Sequence, residues 1–556
     1  MLRKLVIAAA FAGLAATPAS AQPSMQTLLM PGVTFERQVE FTPHGPVVLD
    51  VVTAPRPDGS QYTLAPALSN NSIVGTETLT QIEKNVSTTS TAAGVNGDFF
   101  VPNPGKPAGI LMRGGALDSA PAIDRSSLGI AADGTLTVAQ VAFDGTWRGT
   151  GQRRQLDLNA PAARGHTTLY TQAWGPTTPA ETGVAVAVMG SLPQLAPNRV
   201  ASGLVTQVLT QGPVTIPPGG AVLVSRGGQA PHLGAEAPAG TTVEIRPTLT
   251  PNWSGMTGAI GGGPELVDSG RAIFRAREAF GDPVLNRRSA RAAVGQLSDG
   301  RIVLVTVEGG SSAYSAGMTN YELAVALTRL GARTAMGLGT GPATAMAFDG
   351  TLLTRPTAGI EQPVSDALLL SYNGVYAAPP SSTTLSPNGD GVDDELSLTY
   401  KLVRPSQVTA TVVGPGRTVT LAKDAEQPGV HTLDWDGSGA QEGSWRFVVA
   451  AVDDAGRTTT AERSFDLNQT LGSLQVARSG RGLTATFALA RPATVTVTVE
   501  KPNGIVIATP VSKRLDAGTQ TVSWRGTAVA GYRVRVVAAN TIGEATLAAP
   551  VTLRRH

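Results

Sequence analysis

Residues 302 to 307 read Ile-Val-Leu-Val-Thr-Val, a short and almost wholly apolar run that ends at Glu308-Gly309-Gly310. A run of this length without alternation predicts a strand buried on both faces of a sheet. The next segment changes period: Leu323, Ala326, Leu327 and Leu330 recur at helical spacing. Thr319 with Glu322 three residues on forms a capping box, and Gly331 is a natural helix stop. Glu322 therefore already has a structural task and is set aside as a catalytic candidate. Residues 332 to 338 read as a second short strand leading into Gly339-Thr340-Gly341. Strand, helix and strand in this order predict a right-handed parallel crossover. Glu308 and the glycine segment would then share one edge of the sheet, where open α/β folds bind ligands. The segment lacks the Gly-Lys-Ser/Thr ending and following helix of a phosphate loop, which excludes a nucleotide site. "ATAMAFDGTLLTRP" instead predicts a hairpin turning at Asp349-Gly350.

From about residue 380 the period becomes two, as in Val408, Ala410, Val412 and in Val495, Val497, Val499. "LSLTYKLVRPSQVTATVVGPGRTVTL" is echoed by "LTATFALARPATVTVTVEKPNGIVIA", an internal repeat that predicts two β-sandwich modules. Trp435 and Trp524 occupy matching places within strands, where core packing is favoured over a surface role in sugar stacking. Trp435-Asp436-Gly437 with Gly443-Ser444-Trp445, and Trp524-Arg525-Gly526 with Gly531-Tyr532, resemble the immunoglobulin-like domain of flagellar hook-capping proteins. That resemblance implies a fold and an adhesive or spacer use. At the entrance of the first module Asn388, Asp390 and Asp394 sit at spacings like those of a calcium loop, with Gly391 at the sharp turn. Ser386 and Ser397 stand where its first and last carboxylates would be. Structural calcium and an ordinary Asx-rich turn both remain open.

The first residues change the picture of where the chain works. Met1-Leu2-Arg3-Lys4, an apolar core and Ala19-Ser20-Ala21 form a signal-peptide pattern, with cleavage after Ala21. The apolar run falls well short of the roughly 20 residues of a membrane span. The chain is expected to be secreted, extracellular or periplasmic, with no transmembrane anchor beyond the signal peptide. It has no cysteine, which rules out zinc-thiolate sites and cysteine nucleophiles. Lys and Arg total 43 against 41 acidic residues, dispersed along the chain, so no footprint for nucleic acid is visible. Saccharide, small-molecule or cell-envelope partners fit better. The five histidines are scattered and none stands in a nucleophile elbow.

Six segments in order, "AAGVNGDFF" (92–100), "KPAGILMRGGAL" (106–117), "AIGGGPELVDSG" (259–270), "RRSARAAVGQLSDGRIVLVTVEG" (287–309), "GMTNYELAVALTRLGA" (317–332) and "PVSDALLL" (363–370), resemble the phosphodiester glycosidase family. The resemblance covers roughly residues 70 to 373. It implies hydrolysis of a sugar held through its anomeric carbon to a phosphodiester, in glycan or exopolysaccharide. It further implies Asp98 and Glu308 as catalytic residues and Asn96, Arg291, Gly339, Thr340 and Gly341 as substrate-binding ones, with Arg291 able to clamp phosphate bidentately. The chain also departs from the family pattern. Gly339 stands for an aspartate, Ala343 for a serine, and Gly310 and Gln362 for arginines. Losing several charge-stabilising groups threatens turnover, so a catalytically degenerate saccharide-binding, envelope structural or adhesive protein is the alternative. The expected organisation is a signal peptide (1–21), a mixed α/β or α+β domain (22–373), a linker (374–385) and two all-β immunoglobulin-like sandwiches (386–468 and 469–556).

Overall fold

The structure is a computed structural model that describes residues 25–273 and 278–551. The signal peptide lies outside the described residues. The elements that position the candidate site are β1 (Val33–Thr42), β2 (Gly45–Ala54), α1 (Leu79–Val86), β3 (Thr91–Asn96), β4 (Arg291–Leu297), β5 (Ile302–Val307), α2 (Asn320–Arg329), β6 (Ala332–Thr340), β7 (Met346–Phe348) and β8 (Asp366–Tyr372). Strands dominate throughout. The mixed α/β expectation for the N-terminal domain therefore gives way to a mostly β architecture in which short helices cover the sheets.

Two sheets face each other. One runs β1-β2-β5-β4-β6 at its centre; the other pairs β7-β3-β8. Alternate residues of each strand enter different cores, as a period of two requires. Leu304 and Val294 of the first sheet, with Ala93, Val95, Leu368 and Leu370 of the second, fill the layer between them. Val303, Val305 and Val307 point the other way, onto Leu323, Ala326 and Leu327 of α2. Leu79 and Ile82 of α1 cover the outer face of the second sheet against Ala367 and Leu369. The order of layers is helix, sheet, sheet, helix. The run 302–307 is thus apolar on both faces because both are covered.

The crossover over α2 is parallel, since β5 and β6 both run antiparallel to β4, which lies between them. The capping box forms: Thr319 Oγ1 accepts from Glu322 N, and Glu322 accepts from Thr319 N at 2.8 Å. The hairpin turns at Asp349-Gly350, both at positive φ. One boundary moves. β6 continues through Gly339 to Thr340, so the turn begins at Gly341. The cause is local: Gly339 N donates to Gly97 O at 2.8 Å and keeps the chain extended.

Past residue 375 two further two-sheet units each enclose a core, one around Trp435, Trp445 and Phe465, the next around Leu483, Phe487 and Val536. Trp435 is core, packing 4.9 Å from Trp445. The expected linker 374–385 is woven into the first unit. Tyr376–Ala377 and Thr384–Leu385 pair with its strands, and Val375, Ala377 and Leu385 lie in its core. This unit also docks on the N-terminal domain. Lys401 is buried and donates to Asp349 Oδ1 at 2.7 Å, Ser87 Oγ at 2.9 Å and Ser90 O at 3.2 Å. Arg463 donates to the carbonyls of Leu28 and Leu29, both at 3.0 Å.

Removing Lys401 leaves Asp349 without its cation at a largely dry junction. Lys401→Met is expected to destabilise the docked pair by about 2 kcal/mol, discounted from a fully buried pair because Asp349 is partly exposed. Calorimetry should show the N-terminal transition moving down and separating from the rest; a superimposable trace would exclude this coupling.

Candidate active site

The turn after β3 carries Asn96-Gly97-Asp98 to the head of β8. Asp98 is buried, and its carboxylate is surrounded by donors: Phe99 N and Arg125 Nη2 reach Oδ1 at 2.7 Å each, and Gly109 N reaches Oδ2 at 2.7 Å. Glycines make this approach feasible. A Cβ on Gly261 would stand 2.3 Å from Asp98 Oδ2, and one on Gly109 2.8 Å from the same atom. The Arg125 guanidinium, almost covered, lies over the rings of Phe99 and Phe280 at 4.8 and 4.7 Å and also donates to Gly262 O at 2.8 Å.

Asp366 stands beside Asp98. Asp98 N donates to Asp366 Oδ1 at 3.1 Å and Ser365 Oγ to the same oxygen at 3.2 Å. Asp366 Oδ2 is buried without a hydrogen-bond partner among the described residues. Burial drives both carboxyls upward, and for Asp366 the charge of Asp98 adds to it, carrying it well above the usual carboxylate range. Arg125 and the Phe99 and Gly109 amides pull Asp98 back. The proton of this coupled pair accordingly resides on Asp366. Lys106 completes the group. Its ammonium donates to Pro107 O at 3.0 Å and Ser119 Oγ at 3.3 Å, and burial lowers its pKa while Asp98 and Asp366 raise it.

Asn96 is buried and structural in its bonds. Nδ2 donates to Gly339 O at 3.0 Å, and Oδ1 accepts from Ala345 N at 3.1 Å. Asn96 thus fastens the end of β6 to the turn that bears Asp98. Gly339 is consequently hemmed in: a Cβ there would lie 2.9 Å from Asp98 O and 3.1 Å from Asn96 Nδ2. The aspartate of the family pattern has no room at this position. Thr340 pairs with Arg291 across β6 and β4, and Gly341 N donates to Ala290 O at 2.9 Å.

Arg291 does not join this group. It is fully buried on the α2 side of the first sheet, donating from Nε to Met318 O at 2.6 Å, from Nη1 to Asn320 Oδ1 at 2.8 Å and from Nη2 to Arg287 O at 2.6 Å. Desolvation lowers its pKa to about 10. The first residue of β4 alternates with Ala292 and so points away from the inter-sheet layer, which is why the clamp expected of it is used to hold the start of α2. Glu308 belongs to a different cluster. It accepts from Arg37 Nη2 at 3.1 Å and from Arg355 N at 2.8 Å. Asn388, Asp390 and Asp394 form a turn in which carboxylates serve main-chain amides: Asp394 accepts from Asn388, Gly389 and Gly391 N, and Asp390 from Val392 N. This Asx-turn geometry uses the oxygens that a calcium loop would offer. No group of three or more His, Asp or Glu side chains among the described residues is arranged to hold a metal.

Sequence reasoning missed Asp366, Lys106, Arg125 and Asp50. Asp366 and Lys106 do stand inside the quoted segments "PVSDALLL" and "KPAGILMRGGAL". The usable signal was an acid heading an apolar strand, or, for Asp50, interrupting one in "VVLDVVT".

Residues 196–371 match the family model of phosphodiester glycosidases. The matched span includes Arg291, Glu308, Gly339 and Asp366 and leaves out Asp98, Lys106 and Arg125. The SPbeta prophage-derived uncharacterized protein YomE of Bacillus subtilis (strain 168) is 36% identical over 88 residues, which is 16% of this chain and 14% of that protein. A Synechocystis protein of known structure is similar at 25% identity with a TM-score of 0.53, covering 63% of this chain and 64% of that one. The catalytic domain of zebrafish N-acetylglucosamine-1-phosphodiester alpha-N-acetylglucosaminidase, auto-inhibited by its pro-peptide, is similar at 13% identity with a TM-score of 0.34, covering 64% of this chain and 86% of that one. The chain spans a small fraction of the curated relative's length and less than two thirds of the Synechocystis chain.

Two outcomes follow from the geometry. Gly339→Ala forces the Asn96-Gly97-Asp98 turn aside and should cost about 1–3 kcal/mol in chemical denaturation; wild-type stability would show that the contact yields. Asp366 keeps its proton in the native state at pH values where the unfolded chain has released it. Stability should therefore fall as pH rises above the ordinary carboxylate range, until the native group ionises too. Asp366→Asn removes that part of the slope, and a slope unchanged in the variant would exclude Asp366 as its source.

Proposed function

We propose that the chain is an exported, glycosidase-like hydrolase of sugar 1-phosphodiesters in glycan or exopolysaccharide, with the reaction carried by the Asp98–Asp366 pair. The observation that supports this reading most is the pair itself. A carboxylate saturated with donors lies beside one with an unpaired oxygen, and the cations Arg125 and Lys106 stand at its edge. Phosphate is a good leaving group. The anomeric C–O bond breaks with its electron pair passing to the phosphate oxygen, whose charge Arg125 and Lys106 offset. Positive charge develops at the anomeric carbon, and ionised Asp98 stabilises it while keeping Arg125 in place. A water oxygen bonds to that carbon as its proton passes to the ionised Asp366 carboxylate. The products are the free sugar and a phosphomonoester. The upward shift of Asp366 makes it a stronger base, so the rate should climb as pH rises through its ionisation. The two C-terminal units serve, in this reading, as immunoglobulin-like spacers.

A second reading, a degenerate saccharide-binding or envelope protein, is favoured by two observations: Arg291 is committed to the scaffold and Gly339 leaves no space for an acid. Purified full chain and a chromogenic sugar 1-phosphodiester separate the two. The hydrolase reading expects chromophore release that drops about 100-fold or more in Asp366→Asn and Asp98→Asn, with circular dichroism unchanged. Equal release from all three proteins would overturn it, and saturable binding without release would select the second reading.

A further inference from the structure

With Arg291 engaged elsewhere, Arg355 carries an uncommitted guanidinium next to the cluster that holds Glu308. Its main-chain N–H donates to Glu308 Oε1 at 2.8 Å, so the residue is anchored directly over that carboxyl. Its exposed side chain lies 4.7 Å from the centre of the Tyr314 ring and makes no hydrogen bond or ion pair among the described residues. Beneath it, Arg37 spans two acids, donating from Nε to Asp50 Oδ1 at 2.8 Å and from Nη2 to Glu308 Oε1 at 3.1 Å. A further Nη2 bond to Leu353 O at 2.8 Å ties the same guanidinium to the segment that carries Arg355. Asp50 and Glu308 are 0% and 3% exposed. Their second oxygens, Asp50 Oδ2 and Glu308 Oε2, are both buried without a hydrogen-bond partner, as is Oγ1 of Thr306, the residue opposite Asp50 on β5.

Two buried carboxylates sharing one arginine repel each other when both are ionised, and a proton on Asp50 relieves the repulsion. Burial, reinforced by Glu308 and opposed by Arg37, raises Asp50 to about 7. Burial and Glu308 together raise the Tyr314 phenol to about 12, so it stays neutral. With one proton on the pair, Arg37 and Arg355 outweigh it by a single positive charge. We propose that Arg355, Arg37 and Tyr314, set over the buried Asp50–Glu308 pair, form a binding subsite for a phosphodiester monoanion. Arg355 supplies two parallel donors to the phosphate oxygens from an open rim. The acids beneath touch the arginines rather than the ligand, and Asp50 acts as a positioning residue that sets the charge of the subsite. The choice of a phosphodiester rests on the hydrolase reading above, whereas the subsite itself is testable without turnover.

Dimethyl phosphate is a suitable probe because it has no sugar and stays a monoanion across the working range. Its binding to the full chain, followed by phosphorus NMR line broadening, should be saturable at about pH 5.5 and several-fold weaker at about pH 8.5, where Asp50 has ionised. Arg355→Ala should weaken binding about tenfold, the value of one charge-assisted pair. Asp50→Asn should bind the probe with the pH dependence flattened, and the distant Arg329→Ala should match wild type. Absence of saturable binding, wild-type binding by Arg355→Ala, or a pH dependence that survives Asp50→Asn would each overturn the subsite. Chromophore release unaffected by Arg355→Ala would also remove the subsite but leave the hydrolase reading standing. Probe binding with no release of chromophore would do the reverse.

Discussion

The N-terminal domain is organised around the burial of acid groups between two packed sheets. An isolated carboxylate moved out of water is unstable by many kcal/mol unless donors replace the lost hydration. Asp98 meets that requirement in full, with two amides and an arginine. Glycines at 109 and 261 let the main chain come close enough to supply them or to leave room for them. Asp366, Asp50 and Glu308 meet it in part, and each retains an oxygen with no donor among the described residues. Burial without full donor compensation drives the Asp366 and Asp50 carboxyls upward, so a fold made mostly of aliphatic strands holds acids that favour their neutral form.

Packing also explains where the chain departs from the phosphodiester glycosidase pattern. Alternation along β4 turns Arg291 toward α2, where Met318, Asn320 and Arg287 absorb its hydrogen bonds. An acid at position 339 would need space that the Asn96-Gly97-Asp98 turn occupies. Charge is nonetheless present in two separate clusters, on Arg125 and Lys106 beside Asp98 and on Arg37 and Arg355 beside Glu308. Three of the four come from residues before the matched span 196–371, and Arg355 from the stretch after β7 within it, so reading the motif strand by strand underestimates what the folded domain gathers.

Much of the fold was legible. The run 302–307, the capping box at Thr319 and the Asp349-Gly350 turn are local signals, set by periodicity, side chain to main chain bonding and positive φ. The end of β6 was not legible, because Gly339 is held extended by a partner 242 residues earlier in the chain, Gly97. The segment 374–385 reads as a linker since Pro and Ser are frequent there, yet Leu385 and Val375 supply core contacts that composition does not announce. Asp98 could be picked out through its motif. Asp366 could not be ranked above other strand-heading acids, as its significance depends on lying against Asp98.

The turn at residues 386–395 does more than start a module. Asn388 Nδ2 donates to Thr546 O at 2.8 Å, and Asp390 Oδ2 accepts from Ala548 N at 3.2 Å, so the loop that opens the first unit grips the last strand of the second. Lys401 and Arg463 grip the N-terminal domain from the other side of that first unit. Force applied at the C-terminal end would therefore travel through short polar bolts into the N-terminal domain instead of dissipating in slack chain. If the far end is fastened to a matrix, the N-terminal domain is presented at a fixed standoff and angle, as a tool is held by a stiff handle.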